Sequence, residues 1–108
     1  MAKSARLLKL VDEIVAEYNR ACALFPDWPD DAVHAAAIMS EEAGETLQAA
    51  IDFNFKSRKG GTSRYASLLR NMRVEAIQTG AMVLRILLGM DRYRNEHQRN
   101  GNERKRSV

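Results

Sequence analysis

Residues Glu41 to Glu45 carry three carboxylates inside a run that is otherwise apolar: Ala35, Ala36, Ile38 and Met39 precede them, and Leu47, Ala50 and Ile51 follow. Glu42 and Glu45 are three apart, so a helix puts them on one face, one turn apart. Like charges that close repel, and burying them is costly unless a positive group joins them. A bound hard cation makes such a set favourable. A further carboxylate, Glu75, recurs in a second apolar run, with Gln78 one turn later and Met72, Thr79 and Met82 around it. Two helices could therefore present three or four carboxylates and an amide to one shared space. Magnesium takes oxygen ligands and is commonly held by a few carboxylates together with substrate phosphates, so Mg2+ is the expected ion. Zinc fits badly, with no thiolate cluster and no paired histidines, and the Glu-x-x-His pair of a di-iron bundle is absent. The competing reading is a solvated face, since Glu is a strong helix former and Glu pairs on exposed helices are common.

The elements that must position these groups are helical. Aromatics are only 6% of the chain, and Ala, Leu, Met, Arg and Glu dominate, which favours helix over sheet. Residues 4 to 24 repeat apolar side chains at helical spacing, with Ser4 as a candidate N-cap. Pro26 and Pro29 break that helix, and Asp27 or Asp30 can cap the next, with Pro29 in its first turn. Trp28 lies in this connection. An aromatic beside prolines usually serves as a packing anchor; the alternative is a wall beside a nucleobase. Residues 30 to about 57 form one long helix, apolar on more than one face and expected to pack on two sides. His34 reads as an ordinary surface or capping residue. The Gly60-Gly61 pair ends this helix, within a basic stretch that includes Lys56, Arg58 and Lys59. Those cations are either solvated or available to phosphates, and the order of a phosphate-cradling P-loop is absent. Residues 63 to 90 form the third helix. Gly80 at its middle implies close contact with a neighbouring helix, and Gly89 reads as a C-terminal stop. Its second half is apolar nearly all round except for Arg85, more than two partner helices in a small protein can cover, so a second subunit is expected.

At 108 residues the chain suits one domain. Residues 1–90 are read as that all-α unit and residues 91–108 as a basic tail, partly helical and then disordered from Asn100. The tail holds six Lys/Arg against three acids, which accounts for the whole net charge of +3. The rest is neutral overall, so a body that grips duplex DNA is not indicated and nucleic acid is not an expected partner. No apolar run approaches the roughly 20 residues that span a bilayer, and no signal-peptide pattern is evident. A single cysteine, Cys22, read as a small core residue, suggests a reducing, cytoplasmic compartment.

The run from His34 through Glu41-Glu42-Ala-Gly-Glu45 to Ala50, followed by Val74-Glu75-Ala-Ile-Gln78, resembles the MazG-type all-α nucleoside triphosphate pyrophosphohydrolases. The family pattern is Glu-Glu-x-x-Glu, a variable gap, then Glu-x-x-Asp. It is met at Glu41, Glu42, Glu45 and Glu75 and departed from at Gln78, where the family has Asp. The 29 residues between Glu45 and Glu75 make a long gap for the family.

The resemblance implies antiparallel helices in a four-helix-bundle-like unit completed by oligomerisation, as a homodimer or homotetramer. It also implies Mg2+-dependent hydrolysis of a (deoxy)nucleoside triphosphate to monophosphate and pyrophosphate. Glu42, Glu45 and Glu75 would be metal ligands, with Gln78 in the fourth ligand's place, offering a neutral carbonyl oxygen. Glu41 or Glu45 would take the proton of the attacking water. Lys56, Arg58, Lys59 or, across an interface, Arg85 would offset charge on the leaving pyrophosphate. Arg85 could equally pair with a structural carboxylate. Two other readings remain: a catalytically weak or inactive helical interaction protein, and a small nucleic-acid binder using its basic tail.

Overall fold

The computed structural model describes the backbone of residues 2–106 and the side chains of residues 4–106. Ser107 and Val108, the end of the expected tail, lie outside the described residues. Three helices make up the chain: α1 (Ala2–Leu24), α2 (Ala32–Lys56) and α3 (Gly61–Arg106). No strand occurs among the described residues, so the protein is all-α.

Paired contacts give the directions. Asp30 bonds Arg92 and Tyr93, Thr46 meets Thr79, and the Phe53 ring meets that of Tyr65 edge-on at 5.0 Å. The partner number falls as the first rises, so α2 and α3 are antiparallel. Glu13 pairs with Arg73 and the Phe25 carbonyl with Arg85, so α1 runs parallel to α3. α3 packs against both other helices, while α1 and α2 do not touch backbone to backbone. The result is an open, bundle-like layer centred on α3. Within one chain α2 packs its backbone against α3 and not against α1.

Local chemistry explains most boundaries. Asp31, extended at φ −78° and ψ 125°, caps α2 by accepting from the His34 N–H at 3.2 Å. The Asp30 carboxylate is instead paired with Arg92, while its backbone carbonyl accepts from Tyr93, and Pro29 lies before the helix. α1 starts at Ala2, so Ser4 sits within it rather than at its cap. The turn into α3 needs left-handed backbone at Gly60 (φ 109°) and Gly61 (φ 76°), and a Cβ at Gly60 would lie 2.6 Å from Arg64 Cδ. Gly80 faces α1: a Cβ there would sit 3.3 Å from Ile14.

α3 does not stop at Gly89. It continues through the expected tail to Arg106, where no proline interrupts it and helix-favouring Arg, Glu and Gln recur. Gly89 is an internal position beside Trp28. The 46-residue helix is about 69 Å long at 1.5 Å per residue, which sets the 72 Å length of the molecule.

The core is slight. Among the described residues only Ala21, Ala35 and Ala81 are buried apolar residues, and no large side chain is fully enclosed. Apolar side chains of α1 point outward at Leu7, Leu8, Val11 and Val15; Val33, Leu47, Ile51 and Phe55 do the same on α2. The accessible surface is 8512 Å2, against about 6,100 Å2 for a compact monomer of this mass. The radius of gyration is 19.2 Å, against about 13 Å for a compact chain of this length. No helix is long and apolar enough to cross a membrane among the described residues.

Candidate carboxylate site

α2 and α3 bring Glu42, Glu45 and Glu75 together: one carboxylate oxygen from each lies within 4.8 Å of the others. Glu42 and Glu75 are half-buried and Glu45 is exposed. The Oε2 atoms of Glu42 and Glu75 are shut off from solvent and have no hydrogen-bond partner among the described residues. An orphaned, buried carboxylate oxygen is costly unless something positive reaches it.

The titration of these groups reflects that cost. Burial raises the Glu42 pKa above the ordinary carboxyl value, and the neighbouring carboxylates of Glu45, Glu75 and Glu41 raise it further. Burial likewise raises Glu75, and the neighbouring Glu45 carboxylate adds to it. Every influence on both groups has the same sign, as expected where carboxylates converge with no cation among them. The donor set is all oxygen and net negative, which suits a hard divalent ion.

Two threonines lie beside the trio. Thr46 Oγ1 is 3.2 Å from the Glu42 carbonyl, Thr79 Oγ1 is 3.0 Å from the Glu75 carbonyl, and the two hydroxyl oxygens are 2.8 Å apart. Sequence reasoning missed this pair, although a signal was present: Glu42-Ala-Gly-Glu-Thr46 and Glu75-Ala-Ile-Gln-Thr79 share the pattern Glu-Ala-x-x-Thr.

Glu42 and Gln78 open onto a cleft of about 460 Å3 whose lining includes Ile38, Met82, Trp28 and Arg85. Gln78 lines this cleft together with Glu42. Arg85 is 7% exposed, donates to the Phe25 carbonyl at 2.8 Å and lies over the Trp28 ring at 4.5 Å. Arg85 is thus tied to a carbonyl and a ring, where a structural carboxylate was the expected alternative. Trp28 is a packing anchor for the guanidinium and also a wall of the cleft. Arg20, held by Glu17 at 2.8 Å, was not singled out from sequence yet lines the same cleft.

The remaining site residues fall elsewhere. Glu41 is exposed and outside the trio, although its charge reaches Glu42. Lys56, Arg58 and Lys59 are exposed at the far end of α2. Lys56 pairs with Asp52 at 3.1 Å. Lys56 lies fourteen helical positions beyond Glu42, about 21 Å along the axis. Within one chain these three cations do not share the cleft.

No family model, curated protein or solved structure matches this chain. The case for function rests on the residues themselves.

Proposed function

We propose that this protein is a Mg2+-dependent nucleotide pyrophosphohydrolase that converts (deoxy)nucleoside triphosphates to monophosphate and pyrophosphate. The observation that carries the reading is the trio: three carboxylates from two helices within 4.8 Å, two of their oxygens buried and unpartnered, beside a cleft containing Arg85 and Trp28.

In this reading Glu42, Glu45 and Glu75 hold the ion, and Gln78 supplies a neutral oxygen at the cleft edge. Bound Mg2+ supplies Lewis acidity towards phosphate oxygens and water. Water attacks the α-phosphorus, the bond from that phosphorus to the bridging oxygen breaks, and pyrophosphate leaves. Glu41 or Glu45, the exposed carboxylates, takes the proton of the water. Arg85 fixes the Trp28 ring by stacking on one face, and the ring forms the wall of the cleft against which a base stacks in this reading.

The active form in this reading is a homodimer or homotetramer. The chain exposes about 2,400 Å2 more than a compact monomer of its mass, an area of the size that obligate interfaces bury. Lys56, Arg58 and Lys59 could reach a cleft only from a second copy, where they would offset charge on the leaving group.

One observation favours the rival reading of a catalytically inactive member of the same architecture: Gln78 leaves three carboxylates where a fourth would bind the ion more tightly. Pyrophosphate release from a panel of nucleoside triphosphates separates the two. The enzyme reading expects Mg2+-dependent release that Glu42→Ala and Glu75→Ala abolish. Folded protein that releases none from any triphosphate favours the rival.

A further inference from the structure

We propose that the Thr46–Thr79 contact sets the gap between the two carboxylate-bearing helices, and through it the size of divalent ion the trio accepts. The inference rests on the metal-binding reading above and assigns the two threonines as positioning residues.

Each threonine lies one turn after a carboxylate of the trio, Thr46 after Glu42 and Thr79 after Glu75. Because α2 and α3 are antiparallel, these two one-turn steps run towards each other. The hydroxyl pair therefore sits along the axis between the levels of Glu42 and Glu75. Threonine bonding back to the carbonyl four residues earlier is common in helices. The direct contact across two helices is the added feature.

Three oxygen contacts share two hydroxyl protons. In two arrangements one hydroxyl donates to the other while the second donates to its own carbonyl, Thr79 to Glu75 or Thr46 to Glu42; in a third both donate to the carbonyls and leave no proton between the helices. The 2.8 Å separation of the two oxygens is a hydrogen-bond length and favours the first two, in which the bond between the helices is made. α3 is braced on its other side at the same level, since Gly80, next to Thr79, lets Ile14 of α1 close in.

The distances make the gap matter. Oxygens on opposite sides of an ion lie about 4.2 Å apart around Mg2+ and about 4.8 Å apart around Ca2+, from metal–oxygen bonds of roughly 2.1 and 2.4 Å. The three oxygens of the trio lie within 4.8 Å of one another, so an ion that bound them would have to draw them to its own spacing, and the gap between the helices limits how far they can close. Replacing one hydroxyl by the methyl of valine exchanges the 2.8 Å contact for a van der Waals contact of about 3.5–4.0 Å. The helices then move apart locally by about 1 Å, more than the difference between the two ions' spans. Mg2+, with its strict octahedral shell, is weakened first, and the more adaptable Ca2+ less.

Isothermal titration calorimetry with Mg2+ and with Ca2+, on the full chain, tests this for wild type, Thr46→Val, Thr79→Val, the double variant and Thr79→Ser, with circular dichroism reporting folding. Each valine variant is expected to shift the ratio of Mg2+ to Ca2+ affinity about tenfold towards Ca2+, the double variant no further than either single, and the serine variant not at all. A ratio unchanged in both valine variants, or equal loss of both ions, overturns the inference while leaving the metal site standing. Wild type that binds neither ion overturns both together. If the valine variants do not fold, Thr46→Ala and Thr79→Ala, which remove the hydroxyl without adding bulk, decide: a ratio shifted towards Ca2+ in both supports the inference, and an unshifted ratio overturns it.

Discussion

Removing a charge from the trio should make the metal-free protein more stable, and Glu75→Gln is the clearest test. Glutamine keeps the shape of the side chain, and its amide can donate to the carboxylates beside it. Two unit charges 4.8 Å apart repel by about 0.9 kcal/mol in bulk water and about 3.5 kcal/mol at an effective dielectric constant of 20. Glu45 is exposed, so solvent screening holds the relief nearer the lower figure, and about 1–2 kcal/mol is expected. For a chain of this size each kcal/mol moves the unfolding midpoint by about 4–8 °C. Thermal unfolding in the presence of a chelator at pH 7.5 should therefore give Glu75→Gln a midpoint about 4 °C or more above wild type. Excess Mg2+ should raise the wild type and barely move the variant, because an ion stabilises only the form that binds it. A variant less stable than wild type without metal would refute the argument that uncompensated carboxylates converge.

Further outcomes follow from the same structure. Between the ordinary carboxyl range and the raised values, the folded state holds protons on Glu42 and Glu75 more tightly than the unfolded chain does; above the raised values both are ionised in either state. Metal-free stability attributable to the trio must therefore fall as pH rises through the ordinary carboxyl range and level off above the raised values. Measured as the midpoint difference between Glu75→Gln and wild type, the effect should be near zero at about pH 4 and grow towards neutrality. Glu17 and Asp52, lowered chiefly by their hydrogen bonds to Arg20 and Lys56, contribute equally to both proteins and cancel. Arg85→Ala removes a charged hydrogen bond to the Phe25 carbonyl and the cap on Trp28; denaturant titration should show a loss of about 2–3 kcal/mol. Light scattering should give a particle mass of two or four times 12.2 kDa, and a monodisperse monomer would contradict the assembly.

How much of this was legible in the sequence depends on the range of each interaction. Helical spacing at Glu42 and Glu45 and the breaks at Pro26, Pro29 and Gly60 are local signals, and the helices they bound are present. The close approach implied by Gly80 is met by Ile14. Local signals misled wherever a distant residue intervened. Asp30 is as good a cap as Asp31 until Arg92, 62 residues away, holds it. Gly89 looks like a stop until Trp28 is seen beside it. Apolar spacing marked the stripes of α1 and α2 but could not tell a face buried in this chain from one left exposed. Lys56, Arg58 and Lys59 looked usable for phosphate because they follow the acidic run in sequence, yet the rise of one helix carries them about 21 Å from Glu42. The threonine pair has no signature of its own on either helix, and only the repetition of Glu-Ala-x-x-Thr hinted at it.

The central claim is that Glu42, Glu45 and Glu75 form a binding site for one divalent cation. Calorimetric titration of Mg2+ into the metal-free chain tests it most directly, alongside Glu42→Gln and Glu75→Gln. Saturable binding by wild type, abolished or greatly weakened in both variants, is the predicted result. Wild type that takes up no ion at millimolar Mg2+, or that binds no better than the two variants, would contradict it.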